Sequence, residues 1–311
     1  MRNAFVQQLL VNMKQDPSIF FLTADLGFKA LEPIEKAFPD RFLNVGISEQ
    51  HMVGMAAGLA LEGKRPICYS IASFVSMRAY EQIRDDLCYH DLDVKIIGTG
   101  GGYNYASHGV THHTVEDYAI MRALPGMRVL APSYAWEARE ATKAMLSTSG
   151  LFYMRLGKDP GVHLERPGFS FAVGRGYVIR EGKDIVLIST GNVLDIAIDT
   201  AELLGKKYSA RKISVRVISM PSIKPLDKKL IEKITKGAKG IFTLEEHSTI
   251  GGLGSAVGEV LWSCNFPKAR FHAFGLPEGK FLKDVGDRNH LLKIAGIVPE
   301  QMAKRIVAAV R

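Results

Sequence analysis

Cysteine is scarce in this chain: Cys68, Cys88 and Cys264 are the three among 311 residues, far apart, with no Cys-x-x-Cys and no histidine at ligand spacing. That excludes a disulfide framework and a thiolate zinc site, and fits buried thiols in a reducing compartment. Long apolar runs are also missing; none reaches the roughly 18 residues that a membrane span needs. The amino-terminal MRNAFVQQLL reads as an amphipathic helix rather than a signal peptide, so the cytoplasm is the expected location. The net charge of +8 invites a nucleic-acid reading, but the recognition signatures are lacking. The positive residues crowd into Lys206–Lys239, alternating with apolar residues as solvated helix faces do. No nucleic-acid or membrane partner is expected.

What the chain does have is the composition of an ordinary globular protein, 47% hydrophobic and 23% charged, and enough length for two domains. Apolar strand-like runs alternate with helical patterns. Strands are expected at Ile19–Thr23, at Phe42–Val45 as the end of a buried strand, and at Pro66–Ser70, Val94–Gly98 and Met127–Ala131; helices are expected over 2–14 and at Met77–His90, Val115–Leu124 and Trp136–Ser147. This pattern predicts a parallel sheet covered on both faces. The segment Gly157–Ser170, with two prolines and three glycines, marks an interdomain linker. The pattern then restarts, with strands at Ile185–Ser189, Ser214–Val217, Gly240–Leu244 and Ala269–Ala273 and helices at Leu194–Leu204, Lys228–Lys236 and Leu253–Cys264. The expectation is two three-layer α/β domains, 1–160 and a smaller 173–311, joined by a linker at 161–172.

One stretch organises the rest, NVGISEQHMVGMAAGLA at Asn44–Ala60. Ser48 stands where a helix N-cap belongs and Glu49 in the first turn. The helix they open is rich in small residues, which admit another backbone closely. Glu49 is either a dipole complement on a tightly packed helix or a carboxyl group placed for chemistry. Three further candidates follow: Phe74 just after a strand; His108, His112 and His113 in the glycine-rich TGGGYNYASHGVTHH; and the cations Arg78 and Lys158. Asp25, in ADLG at a strand's carboxyl end, lies where ligands bind in open α/β sheets, or serves as a turn cap. A metal at the three histidines is the weaker reading, because no carboxylate or cysteine completes it nearby. GGLGSAVG at Gly251–Gly258 reads as a turn and close helix packing, not a dinucleotide site.

NVGISEQHMVGMAAGLALEGKRPI, SFVSMRAYEQIR and GVTHHTVEDYAIMRALPGM together resemble the pyrimidine-binding and carboxy-terminal half of a transketolase, most closely the split form made as two chains. The resemblance implies thiamine diphosphate as cofactor. In that family the glutamate matching Glu49 contacts N1′ of the aminopyrimidine, and a shielded carboxyl group sharing that proton favours the reactive imino tautomer. Phe74 matches an aromatic residue that packs on the pyrimidine, Asp25 an aspartate near the cofactor and the subunit interface, and His112 a histidine facing the reacting carbons. Lys158 falls where the family has the second arginine of R-x-x-R for a distal phosphate; Arg78 is a second anion candidate. His113 stands in place of a glutamine, and Ile71 where a further aromatic is usual. EEHSTIGG resembles a segment of the carboxy-terminal domain of deoxyxylulose-phosphate synthase and split transketolases, which would put Glu246 and His247 within reach of the interface, without a catalytic assignment.

The departures from the family matter too. The donor-holding histidine and aspartate positions read Gly100 and His108, with Gly100 expected to enlarge the pocket, so a non-standard donor is expected. The G-D-G…N motif that holds the metal and diphosphate is missing; Val285-Gly286-Asp287-Arg288-Asn289 is not that pattern. The implied enzyme is therefore an α2β2 assembly in which an amino-terminal partner subunit carrying G-D-G…N supplies the Mg²⁺ and diphosphate site. It would transfer a two-carbon ketol unit between sugar phosphates. The alternatives are the beta subunit of a 2-oxoacid dehydrogenase and a non-catalytic assembly subunit.

Overall fold

The computed structural model describes all residues except 28, 158–169, 208–212, 264–268, 280 and 311. Most of the expected linker, and Lys158, therefore lie outside the described residues. Two mostly parallel sheets make two α/β domains. Seven strands form the first: β1 (Ile19–Thr23), β2 (Phe42–Asn44), β3 (Arg65–Ile71), β4 (Lys95–Thr99), β5 (Arg128–Leu130), β6 (Phe152–Leu156) and β10 (Ser222–Lys224). Five form the second: β7 (Tyr177–Arg180), β8 (Ile185–Ser189), β9 (Val215–Ser219), β11 (Gly240–Ser248) and β12 (Arg270–Leu276). The first sheet runs β10-β5-β6-β4-β3-β1-β2 and the second β12-β11-β8-β9-β7. Among these strands β10 and β7 pair antiparallel, each at an edge.

The strand period of two explains the layering. In the first sheet Phe21, Ile67, Tyr69, Ile97, Phe152 and Met154 face helices Arg2–Gln15 and Ala135–Leu146. Their alternates Leu22, Cys68, Ile96 and Tyr153 face Met52, Val53 and Ala56 of helix Glu49–Leu61, together with Tyr118 and Met121 of helix Asp117–Ala123. In the second sheet Leu187, Val217 and Phe242 face helices Leu194–Lys207 and Pro299–Ala309. Val186, Ile218 and Ile241 face helices Lys228–Thr235 and Leu253–Ser263. Among the described residues, no helix is long and apolar enough to cross a membrane.

Several expectations change. Phe42–Asn44 is not a buried strand but the sheet's exposed edge, with Leu43 43% accessible. The expected helix at Met77–His90 is broken into π-helical turns Phe74–Arg78 and Ile83–Cys88 around Tyr80–Gln82. Strands β6, β7 and β10 are additions to the expected pattern. β6 is buried on both sides, so it lacks the alternation that reveals a strand. β10 leaves the second half of the chain to pair with β5 of the first sheet, a long-range pairing that no local pattern encodes.

Candidate active site

Glu49 is the first residue of helix Glu49–Leu61, just after the edge strand β2 and a turn through Gly46, whose φ of 73° suits glycine. Ser48 occupies the N-cap position but makes no side-chain cap bond. The Glu49 carboxyl group is only 1% exposed, and a buried charge needs partners. It has two. The Ser70 hydroxyl on β3 donates to Oε1 at 2.9 Å, and Arg78 donates from Nη1 to Oε2 at 2.5 Å. The wide π turn at Phe74–Arg78, a form frequent at functional sites, stacks the Arg78 guanidinium over the Phe74 ring, 4.5 Å from its centroid.

The loop after β4 carries the histidines. It closes on itself where Gly102 and Thr114 exchange backbone hydrogen bonds of 2.8 and 3.0 Å. His112 comes to rest with its ring 5.1 Å from Phe74 at 65°, 4.9 Å from His108 and 6.0 Å from Tyr105. Its Nδ1 pairs with the Thr111 hydroxyl at 3.0 Å. Burial, with His108 and His113 beside it, lowers its pKa, so the neutral imidazole is favoured. His108 lies at the exposed rim. His113 turns inward instead, to the Ala106 carbonyl and the Tyr103 ring, and so braces the loop. Among the described residues no three histidine, cysteine or carboxylate side chains are arranged to hold a metal ion.

Glu49, Phe74, Arg78, His108 and His112 are thus brought together. A cavity of about 380 Å³ opens beside them, lined in part by Phe74, Met77, Arg78, Val110 and Thr111 and, from the second half of the chain, Phe281. Asp25 stands apart from this group. With φ of 49°, it takes the Asn44 amide on its Oδ1 at 3.1 Å and gives its backbone N–H to Asn44 at 2.9 Å. Together with Thr23, Gly27 and Phe42 it lines a separate hollow of about 180 Å³. Gly100 does not enlarge the pocket. The Tyr105 ring packs where a Cβ would stand, so that space is filled by an aromatic side chain the sequence did not single out.

Comparison with known proteins fits this geometry. Residues 1–160 match the family model for the transketolase pyrimidine binding domain, and residues 174–302 that for the transketolase C-terminal domain. The chain belongs to the transketolase family. It is 34% identical to a putative transketolase C-terminal section of Methanocaldococcus jannaschii, over 99% of this chain and 95% of the relative. It is also 34% identical to one subunit of an apulose-4-phosphate transketolase of Actinobacillus succinogenes, over 95% and 93% of the two chains. Among solved structures it is similar to a split-gene transketolase described as an inactive beta4 tetramer, with a TM-score of 0.86 and 36% identity, covering 99% of this chain and 97% of that one.

A transketolase pyrimidine domain implies thiamine diphosphate, and the donor set here fits the aminopyrimidine end of that cofactor. The pocket already accommodates a planar, cationic hydrogen-bond donor lying on an aromatic face and pointing at a buried carboxylate. Asp287 of the Gly-Asp-Arg-Asn segment is used locally: it caps helix Arg288–Ile294 by accepting from the His290 N–H at 2.8 Å.

A second polar cluster ties the two domains of this transketolase chain together, and sequence reasoning reached only its edges. Arg155, at the start of RLGK, is buried; it pairs with Asp117 at 2.8 Å, donates to the Glu246 carbonyl at 2.8 Å and lies over the Tyr118 ring. Glu246 binds Arg288 and accepts from the Tyr103 N–H at 2.8 Å. His247 accepts the Tyr118 N–H on Nε2 at 3.1 Å and gives its Nδ1 proton to the Ser248 carbonyl at 2.6 Å. That tautomer has no free nitrogen for proton transfer. Its pKa is pushed down to about 4, chiefly by burial. Glu245 accepts the Leu253 and Gly254 N–H groups at the start of helix Leu253–Ser263, so GGLGSAVG is a helix opening, with Gly254 packed against Ala273.

Proposed function

We propose that the chain is the carboxy-terminal subunit of a two-chain, thiamine-diphosphate-dependent transketolase that moves a two-carbon ketol unit between sugar phosphates. The observation that carries this reading is the buried Glu49 carboxylate near the Phe74 face, with His112 packed edge to face against that ring. When bound, thiamine diphosphate supplies the nucleophilic carbon at which the carbon–carbon bond is broken and remade. Glu49 holds the proton shared with N1′ of the pyrimidine, in a setting screened from water. Phe74 offers the ring a flat apolar face, a contact of roughly 0.5–1.5 kcal/mol beyond burial. Neutral His112 moves a proton to and from the donor's carbonyl oxygen. Ser70 fixes the Glu49 carboxyl plane through Oε1.

The amino-terminal partner supplies a G-D-G…N site for Mg²⁺ and the diphosphate, and the assembly is α2β2. Asp25, on the exposed β2 side of the chain, is assigned to the interface with that partner. His108 and Lys158 are assigned to the sugar substrate, and the relative named for apulose 4-phosphate supports a phosphorylated donor. The test is to co-purify the chain with a G-D-G…N partner and measure thiamine diphosphate binding calorimetrically with Mg²⁺. Micromolar binding and ketol transfer by the pair, with neither from the chain alone, support the reading. Micromolar binding by the isolated chain contradicts it.

A further inference from the structure

The ion pair that satisfies Glu49 lies where the cofactor's ring must go. Both carboxylate oxygens are taken: Oε1 by Ser70 at 2.9 Å and Oε2 by Arg78 at 2.5 Å. Each oxygen can accept a further hydrogen bond, but the carboxylate is otherwise buried, and a ring approaching it from the cavity meets the Arg78 guanidinium first. Ser70 is 1% exposed on a central strand and has nowhere to move. The Arg78 side chain is 41% exposed and borders the open cavity. The same guanidinium also covers the Phe74 face at 4.5 Å. A ring nitrogen on Glu49 and a ring face on Phe74 therefore claim the two contacts that Arg78 now holds.

We infer that Arg78 is a stand-in for the aminopyrimidine: in the lone chain it fills that site, keeps the buried Glu49 paired, and is displaced into the neighbouring cavity when the cofactor binds. The inference rests on the proposed cofactor reading. Its physical basis is that Glu49 buried without a donor is costly, so a planar cation fixed on the π turn beside it preserves the carboxylate's position until the ring arrives. The corollary is a loss of affinity, because part of the ring's binding energy goes into breaking the Arg78–Glu49 pair. Displaced into the cavity, the guanidinium meets the space between Phe74, Val110 and Thr111, where an anionic substituent of the substrate can pair with it.

The test compares wild type, Arg78→Met and Arg78→Lys, each assembled with the partner chain. Binding of 4-amino-5-hydroxymethyl-2-methylpyrimidine, the ring without its diphosphate, is followed by calorimetry. The inference expects Arg78→Met to bind this fragment about tenfold or more tightly than wild type, with Arg78→Lys in between, while the unliganded Arg78→Met protein melts at a lower temperature. Fragment binding that is unchanged or weaker in both variants overturns it and leaves the cofactor reading intact, since Arg78 then merely supports Glu49. Should no protein bind the fragment, although all bind thiamine diphosphate through the partner, the pyrimidine assignment itself fails and this inference with it.

Discussion

The rings of Phe74 and His112 meet edge to face with centroids 5.1 Å apart. They come from different strand ends, β3 and β4, which are neighbours in the sheet, so adjacency of the strands converts two distant sequence signals into one site. If neutral His112 handles the donor's proton, His112→Asn in the assembled enzyme should lower kcat by about 10²–10⁴-fold with a smaller change in KM. Its pKa is lowered, so the acid limb of the wild-type kcat/KM profile should fall below about 6.5, the ordinary histidine value, and should vanish in the variant.

Arg155 and Asp117 are both buried and paired at 2.8 Å. Arg155→Met leaves Asp117 with the Tyr153 hydroxyl, 2.7 Å away, in place of a counter-charge. A loss of about 3–5 kcal/mol is expected, measured by urea unfolding. Adding Asp117→Asn should recover part of it, because the stranded charge is then gone.

His247 gives a pH-dependent stability of defined sign. Its folded pKa is near 4, against an ordinary value of 6.5. The unfolded chain therefore binds the extra proton between these values, and the contribution is present above 6.5 and lost as pH falls towards 4. His247→Gln should flatten stability over that window by about one proton's worth of slope, read from melting temperatures across pH. An unchanged slope would show that folding does not lower the His247 pKa.

These elements also show where the sequence was legible. The two-domain α/β plan and Glu49 at a helix start could be read because strand and helix periodicity and local turn chemistry carry them, whereas Phe74 and His112 were picked out through the family resemblance. The Glu49–Arg78 pair was hidden: it depends on a π turn, which replaces ordinary helix spacing by one residue. The Arg155–Asp117–Glu246 cluster joins segments from both halves of the chain. Buried polar residues of this kind look in sequence like ordinary surface charges. Tyr105 was missed because its role, filling the space beside Gly100, is set by a loop that closes only in three dimensions.

We propose that the same loop sets donor choice. His108 stands at the exposed rim, its ring 4.9 Å from that of His112, where a carboxylate would accept a hydroxyl proton. A site lacking such an acceptor discriminates poorly for ketoses that need it. His108→Asp should raise kcat/KM for xylulose 5-phosphate relative to the native donor. If the unmutated pair already reaches about 10⁴ M⁻¹s⁻¹ or more with xylulose 5-phosphate, an ordinary enzyme value, His108 does not set donor choice.

The central claim is that the Glu49 carboxyl group shares a proton with the cofactor. The most direct measurement is ketol transfer by the assembled pair carrying Glu49→Gln, with circular dichroism and subunit association as controls for folding. An amide keeps the shape and the Ser70 contact but cannot share that proton. The account predicts an intact assembly whose rate falls at least 100-fold, about 2.7 kcal/mol in barrier. Activity within about tenfold of wild type, about 1.4 kcal/mol, would contradict it.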